Sequence, residues 1–295
     1  MTARLAFALR VLPVLLAACG GAAASVPPQL SIPAPPDTHA SSTCPKPVGD
    51  TMPRPKPPEP QRPAASKLTV PAAVQAIVDA ADRSADDKAM DAGRHPGELL
   101  TFLGLKPGMR VAEIGAGTGY TTELLARTVG PGGKVWAENP GFFLKFADKP
   151  LAERLAKPAN KNVVRADKEL ENPLPPDAKN LDAVVSVLIY HDTVWLGTDR
   201  DKMNKAIFDA LRHGGEYVIV DHSSLEGRGT QDVKTLHRID ELSVIREVEK
   251  AGFHHVADAD FLRNPADTRD WSDSPREAGE RRGTSDRFVA KFVKP

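Results

Sequence analysis

Glu113 stands two residues ahead of three alternate glycines, Gly115, Gly117 and Gly119, in the run Val111-Ala112-Glu113-Ile114-Gly115-Ala116-Gly117-Thr118-Gly119-Tyr120. A strand that ends in an acid and turns through such glycines lets the backbone approach a ligand closely. It also hands the N–H groups of the next helix to an anion. The spacing narrows the ligand. A dinucleotide loop of the Gly-x-Gly-x-x-Gly type needs its third glycine at position 120, which is Tyr. A second carboxylate, Glu138, ends the next apolar segment, roughly 20 residues beyond the glycines, where a βαβ nucleotide site holds a ribose by its two hydroxyls. Further along come Tyr190-His191-Asp192 and Asp221-His222, each directly after an apolar run. His191, with Asp221 and His222, has the chemistry to take a proton from a hydroxyl or thiol near neutral pH. Asp192, Asp221 and a His could also hold a divalent ion, but these types fit several metals and no tight ligand motif is present, so no metal is assigned.

These side chains need a frame, and the hydrophobic pattern supplies one. Leu103-Gly104-Leu105-Lys106-Pro107-Gly108 closes a helix, and a strand is predicted at 110–114. Leu124, Leu125 and Val129 repeat at helical spacing over 120–129, stopped by Gly130-Pro131-Gly132-Gly133, and a strand at 134–137 completes the unit. Beyond it the sequence predicts a helix over 141–156, a strand over 162–165, and an almost unbroken apolar run, 181–189, that suits a strand buried on both faces. A helix over 200–212, a strand over 216–220, a helix over 240–251 and strands at 255–262 and 287–293 follow. Strands alternating with helices predict an α/β fold, a doubly wound seven-stranded sheet, mostly parallel, with an antiparallel pair at one edge. In such sheets ligands bind at the carboxyl ends of the strands, which is where the Gly loop and both His-Asp clusters fall.

The run Glu-x-Gly-x-Gly-x-Gly resembles the first motif of class I S-adenosylmethionine-dependent methyltransferases, and the likeness covers about residues 71–295. Leu-Lys-Pro-Gly-Met-Arg-Val before the loop, Gly-Gly-Lys-Val-Trp-Ala-Glu after it and Leu-Arg-His-Gly-Gly-Glu before the fifth strand also look like that superfamily. More narrowly, Asp91-Ala92-Gly93-Arg94, His237-Arg238-Ile239-Asp240, Asn264-Pro265-Ala266-Asp267 and Asp286-Arg287-Phe288 resemble a group of bacterial methyltransferases without a known substrate. The resemblance implies S-adenosylmethionine as cofactor. It implies that Glu113, Gly115, Ala116, Gly117, Gly119 and Tyr120 hold the methionine end, Glu138 the ribose and Asp167 the adenine amino group. After the fourth strand no Asn-Pro-Pro-Tyr-like tetrad occurs, which counts against the amino methylases that use it.

Charge is balanced at 39 basic against 39 acidic residues, and aromatics are 5%, so neither a basic footprint nor a set of stacking platforms points to nucleic acid. The expected acceptor is a small molecule or a cell-envelope component. Residues 1–19 read as a signal peptide: Arg4 and Arg10, a short apolar stretch, then Leu16-Ala17-Ala18-Cys19, which resembles a bacterial lipoprotein signal with Cys19 as the lipid-modified residue. Residues 20–66 carry about half of the chain's 27 prolines and are expected to form an extended linker, leaving 67–295 as the methyltransferase-like domain. The expected location is the periplasmic face of a membrane, with the cytoplasm as the alternative. A ligand-binding or sensing lipoprotein on the same fold, without catalysis, is the alternative function.

Overall fold

The computed structural model describes residues 68–295; the signal-like segment, Cys19 and the proline-rich linker lie outside them. Three helices, α1 (Ala72–Val78), α2 (Ala85–Arg94) and α3 (Pro96–Leu103), precede the sheet. The alternating unit then runs β1 (Arg110–Ile114), α4 (Tyr120–Val129), β2 (Lys134–Asn139), α5 (Gly141–Leu155), β3 (Val163–Asp167) and β4 (Leu181–Val187). It continues through α6 (Tyr190–Leu196), α7 (Arg200–Ala210), β5 (Leu211–His222), α8 (Val233–Leu236), α9 (Glu241–Lys250), β6 (His254–Ala259) and β7 (Arg287–Val293).

The strands form one sheet in the order β3-β2-β1-β4-β5-β7-β6. All neighbours are parallel up to β5, and β7 runs antiparallel to both β5 and β6. The reversed strand is therefore inserted beside the edge strand, and a right-handed crossover is not needed to reach it. Strand alternation divides the core between the two faces. Val111, Val135, Ala183, Val185, Val218, Val220 and Val289 pack with Leu124, Leu125 and the α3 leucines. Ala112, Trp136, Val184, Tyr217, Ile219 and Phe288 pack with Ile207, Ile245 and Val248 on the other. The apolar run at 181–187 is buried on both sides, as its composition requires.

Several boundaries differ from the sequence expectation: β2 and β3 run on to Asn139 and Asp167, β6 stops at Ala259 rather than residue 262, and two differences near the site have a clear cause. Strand β4 stops at Val187 rather than residue 189, because Leu188 takes a left-handed conformation (φ 59°) and Ile189 opens α6. Strand β5 begins at Leu211, before Gly214-Gly215, with an irregularity in its register against β4 between Leu181 and Ala183. Gly214 has φ 68°, and a Cβ on Gly215 would lie 2.9 Å from the Arg212 carbonyl, so the glycines let the chain bulge and re-enter the strand.

Candidate active site

The glycine turn is built from the sheet outward. Gly115, Gly117 and Gly119 have φ of 69°, 56° and 86°, a region in which a side chain is strained. The N–H of Gly115 donates to Glu138 Oε2 at 3.0 Å and that of Ala116 to the Glu138 carbonyl at 2.7 Å. Asn139 clamps Gly117 from both sides, accepting its N–H at 2.8 Å and donating to its carbonyl at 2.9 Å. The loop amides are thus held mainly by the tip of β2, and less of the loop N–H set is left for an anion than the sequence suggests. The turn is open at Gly117 and packed at Gly115. Ile189 lies against Gly115, where a Cβ would come within 2.5 Å of Ile189 Cδ1.

Glu138 is fully buried, and burial pushes its carboxyl well above the usual carboxylate range. Its Oε2 holds the turn while Oε1 has no hydrogen-bond partner. A buried carboxylate oxygen left over at the tip of β2 fits a ribose hydroxyl, which would donate to it.

Glu113 is buried beneath the first turn of α4, where the Thr122 hydroxyl donates to its Oε2. Burial pushes its carboxyl up to about 7 despite bonds from Thr122 and Thr121. The folded state therefore holds a proton that the unfolded chain releases near 4.5, and stability falls as pH rises from about 4.5 to about 7. Glu113→Gln keeps the shape and an acceptor for Thr122 while removing the ionisation. It should raise stability at pH 8 by about 1–3 kcal/mol and flatten the pH dependence of urea unfolding. An unchanged pH slope would reject this account of Glu113.

Tyr120 and Asp167 each have a partner within the protein. The Tyr120 hydroxyl donates to Asp91 Oδ1 at 2.6 Å, and the Arg94 guanidinium covers its ring at 4.6 Å. Its side chain thus binds the 91–94 segment to the start of α4. Asp167 is exposed at the end of β3 and paired with Arg165, with Nε to Oδ1 at 2.8 Å. Arg154, missed from the sequence, donates from Nε to the Thr118 carbonyl at 2.7 Å and pairs with Asp87 and Glu123, fixing α5 against the glycine turn.

The strand-end cluster lies on the neighbouring side of β1. Tyr190 anchors α6: its hydroxyl, fully buried, donates to Glu247 at 3.0 Å and accepts from Asn204 at 2.8 Å. The next residue, His191, is also fully buried. Its backbone N–H donates to Asp221 Oδ2 at 2.8 Å and its Nδ1 lies 2.5 Å from Asp221 Oδ1. Burial opposes charge on the imidazole, but the Asp221 carboxylate outweighs it and raises the pKa to about 9. Asp221 in turn is held below the usual range by the same histidine, against its burial. His222 Nδ1 lies 2.6 Å from Asp273 Oδ2 and 2.9 Å from Ser285 Oγ.

The sequence reading gave His237 no role beyond its motif and passed over Asp273. His237 follows α8 in a left-handed conformation (φ 58°), and its ring centroid is 4.1 Å from that of His191. It arrives there because Ile239 runs beside the end of β5, donating its N–H to the His222 carbonyl at 2.9 Å. Arg238, fully buried, anchors the same segment through Asp267 at 2.8 Å and the Ser223 carbonyl at 3.1 Å. Asp267 also accepts the Asp286 N–H at 2.6 Å, and Asp286 accepts that of Asn264 at 2.8 Å. The dispersed motifs at 237–240, 264–267 and 286–288 are therefore one buried network behind the cluster. The signal in the sequence was the motif; what it lacked was the pairing.

Residues 70–147, which include the glycine turn and Glu138, match the family of protein-L-isoaspartate(D-aspartate) O-methyltransferases. A protein-L-isoaspartate O-methyltransferase of Aeropyrum pernix is 49% identical over 41 residues, which is 14% of this chain and 16% of that protein. The chain thus spans only a small part of that relative's length. Among solved structures, a SAM dependent methyltransferase from Aquifex aeolicus superposes with a TM-score of 0.51 at 19% identity, covering 75% of this chain and 98% of that one. With a seven-stranded sheet in this order and a glycine turn after β1, the described part of the chain has the class I S-adenosylmethionine-dependent methyltransferase fold.

Proposed function

We propose that this protein is an S-adenosylmethionine-dependent methyltransferase acting on a small molecule or a cell-envelope component, with oxygen as the favoured acceptor atom. The observation that carries the reading is Glu138, whose Oε2 holds the glycine turn while its buried Oε1 lacks a partner that a ribose hydroxyl would supply. The match of residues 70–147 to a family named for O-methyl transfer supports both the reaction and the acceptor atom. Glu113 would face the ammonium of the bound cofactor and Gly115, Ala116, Gly117 and Gly119 would line its methionine end, with Tyr120 holding the helix start in place and Asp167 at the adenine rim.

When bound, the sulfonium supplies a methyl group that is already activated, so the chain's task is alignment of the acceptor within about 3–3.5 Å. A hydroxyl acceptor would give up its proton on methylation, and the chain's residues would have to take that proton up. Proton handling falls to the strand-end cluster of His191, Asp221 and His222: Asp221 fixes the orientation of His191 and keeps it protonated near neutral pH, which leaves His222, held below its usual range by burial, as the imidazole free to accept a proton.

The test is calorimetric titration of the protein with S-adenosylmethionine and S-adenosylhomocysteine, followed by a search of envelope extracts for a compound that takes up labelled methyl groups. No binding at millimolar ligand would sink the proposal. Binding without methyl uptake would turn it into a sensing or carrier protein. We place the protein on the periplasmic face of a bacterial membrane, tethered by lipid on Cys19, on the strength of Leu16-Ala17-Ala18-Cys19 and the proline-rich segment after it. Cys19→Ala should then move it from the membrane fraction to the soluble fraction, and unchanged fractionation would refute the tether.

A further inference from the structure

We propose that His191, Asp192 and His237 form a binding site for one divalent transition-metal ion of the zinc type. One ligand atom from each of the three lies within 4.8 Å of the others. His191 Nε2 is 3.4 Å from Asp192 Oδ1, and His237 Nε2 is 3.9 Å from the same oxygen. Ligand atoms around a tetrahedral zinc ion, at bond lengths of about 2.0–2.1 Å, are spaced by about 3.3–3.4 Å. The cluster is therefore one short side-chain adjustment from a three-ligand site with a fourth position open.

The independent sign of a ligand is His191 Nε2. It is buried and has no hydrogen-bond partner, while Nδ1 of the same ring is committed to Asp221. An unpaired ring nitrogen in the interior is costly to keep. A carboxylate on one nitrogen, with the other left without a hydrogen bond beside further ligand types, is the arrangement by which proteins orient a metal-binding imidazole. Asp221 fixes the His191 tautomer, Tyr190 fixes α6, and the Arg238–Asp267 pair fixes the segment that carries His237. Two segments distant in sequence, α6 and the turn after α8, thus converge on one point, and Asp192 and His237 are partly exposed, which gives an ion a way in.

Two imidazoles and one carboxylate favour zinc, iron, cobalt or nickel over magnesium and calcium, which take oxygen ligands. The site lies at the ends of β4 and β5, and Ile189, two residues before His191, touches the glycine turn. An ion there would bind an acceptor hydroxyl at its open position and lower that hydroxyl's pKa. That use of the ion, though not its binding, rests on the methyl-transfer reading.

The experiment is zinc binding to untagged full-length protein after dialysis against a chelator, measured by competition with a chromophoric chelator. One equivalent should bind, and a large excess of magnesium should not displace it. His237→Ala and Asp192→Asn should each weaken binding by at least about 100-fold, and Asp221→Asn by about 10–100-fold at unchanged stoichiometry. Circular dichroism of the metal-free variants shows that they fold, and Asp192→Asn stands in should His237→Ala fail to. Absence of stoichiometric zinc on folded wild-type protein, or wild-type affinity in folded His237→Ala or Asp192→Asn, would overturn the site. Cofactor titrations with and without zinc keep the two proposals separate, since zinc binding without cofactor binding sinks only the methyltransferase reading.

Discussion

Arg238→Met should destabilise the folded domain by about 3 kcal/mol, seen as a lower urea midpoint with an unchanged slope. Arg238 and Asp267 are both shielded from water, with side-chain exposures of 0% and 1%. The guanidinium bonds Asp267, the Ser223 carbonyl and the Trp271 carbonyl, and lies 4.6 Å over the Trp271 ring. Met replaces most of the volume but leaves a buried carboxylate without its cation. Removing one member of such a pair is generally worth about 3–5 kcal/mol. The low end is expected here, because Asp267 keeps three donors: the Trp271 indole N–H at 2.7 Å, and the backbone N–H groups of Arg269 at 3.0 Å and Asp286 at 2.6 Å. Adding Asp267→Asn to Arg238→Met should recover part of the loss, since the stranded charge is then gone. A loss below about 1 kcal/mol in the single variant would show that the network is not a structural keystone.

Gly117→Arg should abolish cofactor binding, with affinity falling by at least about 100-fold, while the protein stays folded. The two effects separate because of what surrounds the residue. A Cβ at Gly117 meets no atom within 4 Å, so the new side chain enters open space above the turn. The backbone penalty of a non-glycine residue at φ 56° is about 1–2 kcal/mol, which a domain of this size tolerates. Gly115 offers no such test, since a Cβ there collides with Ile189 at 2.5 Å and a loss of binding would be confounded with misfolding. Wild-type cofactor affinity in folded Gly117→Arg would mean that the ligand lies elsewhere. One such place is a cavity of about 410 Å³ lined by Ser223, Arg263, Arg269 and Asp286.

The glycine turn, the carboxylate at the tip of β2 and the seven strands were legible in the sequence for a local reason. Each is specified by residues adjacent in the chain: apolar runs of strand length, a glycine stop and an acid at the next strand's end. Strand limits that depend on a partner were less legible. The end of β4 at Val187 reflects a left-handed Leu188 that lets Ile189 cover Gly115, and nothing in an apolar run announces that turn. Tyr120 shows the same limit from the other side. The resemblance implies a cofactor contact for it, and nothing beside it in the chain announces that its hydroxyl bonds Asp91, remote in sequence.

By itself, then, the sequence determined the alternating frame and the loop that breaks it, because hydrophobic period and backbone freedom are properties of neighbouring residues. Tertiary structure alone decided that His237 stands against His191, that Asp221 claims one imidazole nitrogen and leaves the other unpaired, and that Arg238 is paired with Asp267. Those relations follow from parallel strand order and from a segment, at Ile239, that lies parallel to the chain just past the end of β5. Burial then makes them strong, since side chains withdrawn from water must find their partners within the protein.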